Sequence, residues 1–154
     1  MGKCMPLSTK NAAAMAKKSD VWLKLIRIVS SVEADLGKML QAQHGLGLSE
    51  YRALEILTQS QNSELRMQEL ASYLLLNQSS VSRMVERLER AGLTVRDLCP
   101  DDKRGVYTVL TNEGRALFES AQPDYENALE AALKECEDGK LLLKTWQTAL
   151  RAKS

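Results

Sequence analysis

Residues 77–93 read NQSSVSRMVERLERAGL and gather the side chains best suited to polar recognition in this 154-residue chain. Laid on a helix at about 100° per residue, Val81, Val85 and Leu88 point one way, with Met84 beside them. Ser79, Ser82, Arg83, Glu86 and Arg90 point the opposite way, and Ser80 and Arg87 sit on the flank. Hydroxyls and a guanidinium at a helix N-terminus are small, adaptable hydrogen-bonding groups. They can enter a major groove about 12 Å wide without blocking it, and Arg can fork onto guanine O6 and N7. The same helix end favours phosphate oxygens. The candidate nucleic-acid contacts here are Gln78, Ser79, Ser80, Ser82, Arg83 and Arg87. A capped surface helix with a serine-rich first turn would carry the same residues, so the neighbouring elements decide between the two readings.

Those neighbours favour recognition. Asn77 is a good N-cap. Gly92 supplies a left-handed stop, with hydrophobic Leu93 beyond it. Upstream, residues 68–74 form a short helix with Leu70, Ala71 and Leu74 inward, and Leu75 and Leu76 bridge to Asn77. A short helix, a tight turn and a second helix with a polar outer face make a helix-turn-helix pattern. The period then changes. TVRDLC (94–99) and GVYTVL (105–110) are β-rich runs separated by PDDKR. This predicts a hairpin with a charged tip, or wing.

The rest of the chain is helical in pattern. From Asp20 to about His44, Val21, Leu25, Ile28, Val32 and Met39 form one apolar stripe, and Trp22, Ile26, Val29, Leu36 and Leu40 widen it. A stripe this wide exceeds what one neighbouring helix covers. It fits a central core helix, or a helix covered partly by a second subunit. Residues 44–48 break it with two glycines. Ser49 is the expected N-cap of the next helix, on which Tyr51, Leu54, Ile56 and Leu57 are apolar, and residues 61–65 are expected as a loop. Thr111 caps a long helix that Pro123 should kink. Asp138 and Gly139 break it, and a last amphipathic helix carries Leu141, Leu142, Trp146 and Leu150. The expected fold is mainly α with a small β-hairpin: a winged helix-turn-helix plus a helical dimerisation region.

Composition excludes several classes. Hydrophobic residues make up 44% and charged residues 27%, an ordinary composition for a globular chain. The formal net charge of +1 announces no bulk attraction to nucleic acid. Between residues 62 and 110 seven basic residues face seven acidic ones, so any DNA contact must rest on a few placed arginines. No apolar run approaches the ~18 residues of a membrane span. Residues 1–18 read as a flexible arm, without a signal-peptide core because Lys17 and Lys18 interrupt it. Cys4, Cys99 and Cys136 form neither a disulfide framework nor a metal knuckle, and a reducing cytoplasm is the expected compartment. His44 reads as a helix-end residue. No cofactor or metal is expected, no nucleotide-binding or hydrolase glycine pattern occurs, and an enzyme is disfavoured.

One family shares these motifs in order. Leu88, Glu89, Gly92 and Leu93 are followed by Asp101, Asp102, Lys103 and Arg104, then by Leu110, Thr111, Glu113 and Gly114. Over residues 20–137 the chain resembles the multiple-antibiotic-resistance regulator (MarR) family of bacterial transcription factors. It departs from the pattern at Met67, where Ser or Thr usually caps a helix, at Leu75, where the turn often has Gly, and at Cys99, before the wing proline. The resemblance implies a winged-helix homodimer on palindromic double-stranded DNA, usually a repressor, often released by a small-molecule effector. It adds Asp102, Lys103 and Arg104 to the candidate contacts, with Asp102 orienting Arg104 toward a minor groove. It also implies an effector pocket, for which Trp22, Ile26 and Tyr51 are candidate walls that core packing explains equally well. The expected organisation is an arm at 1–18, a DNA-binding region at 49–110, and dimerisation helices at 19–48 and 111–154. Two alternatives differ in class: a thiol-based redox regulator, and a winged-helix protein-interaction module without an operator.

Overall fold

The computed structural model describes residues 17–98, 105–136, 139–140, 144, 148 and 151–152. The expected arm up to residue 16, the wing tip at 99–104 and most of the expected last helix, Trp146 included, lie outside the described residues. The elements are α1 (Lys18–His44), α2 (Leu48–Gln59), a 3-10 turn (Gln61–Ser63), β1 (Glu64–Arg66), α3 (Met67–Leu74), α4 (Gln78–Arg90), β2 (Thr94–Leu98), β3 (Val106–Leu110) and α5 (Asn112–Glu135). The chain is mainly helical, with one small antiparallel sheet of order β1-β3-β2.

Two compact units divide it. The first is Leu40–Asp124. Its core comes from Tyr51, Leu54 and Leu57 of α2, Leu70 of α3, Phe118 of α5, and Val81, Met84, Val85 and Leu88 of α4, all buried. Positions 81, 84, 85 and 88 fall on one face of a helix, and that face packs on α2, α3 and β2. The second unit takes the residues up to Met39 and those from Tyr125. Ile28, Val32 and Leu36, at four-residue spacing on α1, are buried there, as are Leu133 and Cys136. The rest of the wide apolar stripe stays open: Val21, Trp22, Leu23, Ile26 and Val29 are exposed.

Two expectations need revision. Residues 61–65 are not simply a loop. They hold the 3-10 turn, with Asn62 and Ser63 at positive φ, and the start of β1, which pairs with β3 through Glu64 and Val109, Leu65 and Thr108, and Arg66 and Tyr107. Three residues are too few to display strand alternation, so the hairpin gains a third strand that the pattern does not announce. Ser49 is not the cap of α2. The cap is Gly47, whose backbone N–H donates to Glu50 Oε2 at 2.9 Å. The glutamate reaching back from the third helical position satisfies this group and starts the helix at Leu48. Pro123 lies inside α5, which runs from Asn112 to Glu135.

The Leu-Thr-x-x-Gly motif has a packing reason. Thr111 Oγ1 accepts the N–H of Gly114 at 3.0 Å, capping α5, and donates to the Gly92 carbonyl at 2.7 Å. The Thr111 N–H donates to the Leu93 carbonyl at 3.1 Å. The start of α5 is thereby tied to the end of α4. A Cβ at residue 114 would run into the Leu93 carbonyl oxygen and lie 2.8 Å from Leu110 Cδ1, so only glycine fits this approach.

Candidate nucleic-acid interface

The interface begins with how α3 turns into α4. Leu75 ends α3 in the left-handed region at φ 55°, ψ 36°. That conformation costs a non-glycine residue roughly 1–2 kcal/mol. The Leu76 N–H returns to the Ala71 carbonyl at 3.1 Å, closing the turn. Asn77 Oδ1 then accepts the Ser80 N–H at 2.8 Å. This cap launches α4 with its first turn outward. At the far end Gly92 sits at φ 72°. The Leu93 N–H bonds to the Leu88 carbonyl at 2.9 Å. Together they stop the helix as the sequence predicts.

The faces of α4 separate as its spacing requires. Gln78, Ser79, Ser80, Arg83 and Arg87 are exposed, and Ser82 is half-buried at the edge of the buried face. These six candidates therefore lie along one side of one helix. Asp102, Lys103 and Arg104 lie outside the described residues. Trp22 and Ile26 are exposed on α1, whereas Tyr51 is wholly buried, its ring 5.5 Å from that of Phe118.

Charge on this side is sorted in pairs. Arg87 Nε donates to Glu50 Oε1 at 2.8 Å, and Arg96 Nε on β2 donates to Glu89 Oε1 at 2.7 Å. Arg90 and Glu86, one turn apart, are more loosely matched at 3.9 Å. Among the described residues, Arg83 is the arginine of α4 that makes no ion pair.

Sequence reasoning missed a second row of polar groups. A cleft of about 590 Å³ opens between the start of α3, the start of α4 and the sheet, lined by Arg66, Gln68, Gln78, Arg96 and Gly105 among others. Arg66 stands at the N-cap of α3, and its Nε donates to the Tyr107 hydroxyl at 2.9 Å across the sheet. Its backbone N–H is taken by Glu69 Oε2 at 2.9 Å, which supplies the capping that Met67 cannot. Arg66 gives no signal in the sequence because β1, which carries it, is not visible in the pattern. Gln68 and Gln78 bring neutral donors to the same cleft, beside the positive end of the α3 dipole.

Among the described residues no three His, Cys, Asp or Glu side chains converge as a metal site. Cys136 is buried. His44 does end α1, where its Nε2 lies 2.8 Å from Asp124 Oδ2. No described helix is long and apolar enough to cross a membrane.

Proteins to which this chain is similar include transcription regulators. Residues 46–106 match the MarR family. The chain is 35% identical over 81 residues to the HTH-type transcriptional regulator YkoM of Bacillus subtilis, covering 53% of this chain and 51% of that protein. It is 33% identical over 86 residues to the homoprotocatechuate degradative operon repressor of Escherichia coli, covering 56% and 57%. The chain thus spans about half the length of these curated relatives. The crystal structure of the MarR family regulator Sco3205 of Streptomyces coelicolor, in complex with DNA, superposes with a TM-score of 0.73 at 30% identity, covering 92% of this chain and 94% of that one.

Proposed function

This chain belongs to the MarR family, and from that premise we propose that it is a sequence-specific DNA-binding repressor, a homodimer on a palindromic operator, released by a small-molecule effector. The observation that carries the reading is α4. Its apolar positions are spent on the core, its serines and Arg83 face outward, and a cleft with two arginines and two glutamines lies beside its first turn. Such a helix enters the major groove, Arg83 reads a base edge, and Arg66, Gln68 and Gln78 hold phosphates. Asp102, Lys103 and Arg104 would carry the wing's contact to the minor groove. The DNA complex of Sco3205 supports the partner class, and the name of the E. coli relative supports repression. Its relatives are regulators rather than enzymes, and no reaction is assigned.

The homodimer is supported by the exposed apolar residues of α1, with Trp22 at 62% and Val29 at 52% exposure. Large apolar groups clustered on one helix mark a surface that a partner covers. For the effector, Trp22 and Ile26 are open to a ligand, and Tyr51 would act from within the core. Selection of bound duplexes from a random pool tests the whole reading. The expected product is an inverted repeat whose halves lie about one helical turn, roughly 34–36 Å, apart. Recovery of single half-sites that bind as tightly as the repeat would refute the symmetric dimer.

A further inference from the structure

The pairing of arginines with carboxylates around α4 bears on how the protein rejects wrong DNA. Glu50 is only 14% exposed in its side chain, and both its oxygens are engaged: Oε2 by the Gly47 N–H at 2.9 Å, Oε1 by Arg87 Nε at 2.8 Å. It is therefore held by the start of α2 before it meets Arg87, unlike a long surface side chain that must be ordered for each contact. Glu89, 24% exposed, meets Arg96 at 2.7 Å, joining α4 to β2. A guanidinium whose charge is already matched by a carboxylate adds little to the counterion release that drives binding to arbitrary phosphates.

We propose that Glu50 and Glu89 are specificity-determining residues: they occupy Arg87 and Arg96, withhold them from the phosphates of non-cognate DNA, and leave Arg83 as the arginine that α4 presents. The inference rests on the DNA-binding reading above and adds that its selectivity is set partly by acidic residues that touch no base. Arg87 becomes a guarded cation rather than a base reader. Glu50 acts through Arg87 and is a positioning residue.

The test uses the full chain as wild type, Glu50→Gln, Glu89→Gln, Arg87→Gln and the double variant Glu50→Gln/Arg87→Gln. Affinity is measured against salt for two duplexes, one of mixed sequence and one obtained by selection. Glutamine keeps an oxygen for the Gly47 N–H but removes the charge. Each single Glu→Gln change should raise affinity for the mixed-sequence duplex about three- to tenfold at low salt and steepen the salt slope by about one. Affinity for the selected duplex should rise less, so discrimination falls. The gain from Glu50→Gln should vanish when Arg87 is also Gln, which a purely capping role of Glu50 would not produce. If Glu50→Gln fails to fold by circular dichroism, Glu89→Gln decides alone. Folded variants that bind the mixed-sequence duplex no better than wild type, with the same salt slope, overturn the inference. A wild type that binds neither duplex overturns the DNA-binding reading, and this inference with it.

Discussion

Arg83 lies one turn beyond Ser79 on the exposed face of α4, with its guanidinium uncommitted among the described residues. On the proposed reading, replacing it would remove a base contact without disturbing the core, because Val81, Met84 and Val85 beside it point the other way. Arg83→Ala should cost about 1–3 kcal/mol in affinity for the selected duplex and relax preference at one position of each half-site. Titration against a set of single-position variants of that duplex measures both effects, and an unchanged preference at every position would remove Arg83 from the reading surface. This position is legible in the sequence because its direction follows from helical spacing alone. The ion pair between Arg87 and Glu50 is not. The two residues are 37 positions apart and meet only when α2 packs on α4. Spacing shows which way a side chain points, but not which distant carboxylate waits there.

Elements are readable where a cap or a period marks them. Asn77, Gly92 and Thr111 each act as the sequence predicts, bounding α4 and opening α5 through named hydrogen bonds. β1 escapes because Glu64–Arg66 is too short to alternate, and with it go Arg66 and the cleft. The start of α2 is misplaced by sequence because Ser49 is a conventional cap, whereas the backbone uses Gly47 and the reach of Glu50. The junction between α4 and α5 gives a direct test of packing at this scale. Gly114→Ala pushes a methyl group against the Leu93 carbonyl, a backbone atom that cannot swing aside. Overpacking of this kind costs about 1–3 kcal/mol. The midpoint of urea unfolding should fall accordingly, and a variant that melts with wild type would show that the junction yields more easily than its geometry implies.

At the scale of the molecule, α1 carries more apolar surface than its own unit covers. Ile26 is 43% exposed and Trp22, one turn earlier, 62%. A charge at that face leaves the buried Ile28, Val32 and Leu36 undisturbed. Ile26→Glu should therefore keep its helical circular dichroism while sedimenting as a smaller species than wild type. A wild-type chain that is already monomeric at micromolar concentration would sink the homodimer. The paired arginines also have a meaning in time. A protein that slides along DNA is held by its phosphate contacts, and the more it makes, the longer it dwells on each wrong stretch. On the proposed reading, with Arg87 and Arg96 matched by carboxylates and Arg83 unpaired on α4 among the described residues, each wrong encounter would be brief. The search for a rare site would then proceed by many short visits separated by flights through solution, and occupancy would respond quickly when the number of competing sites changes.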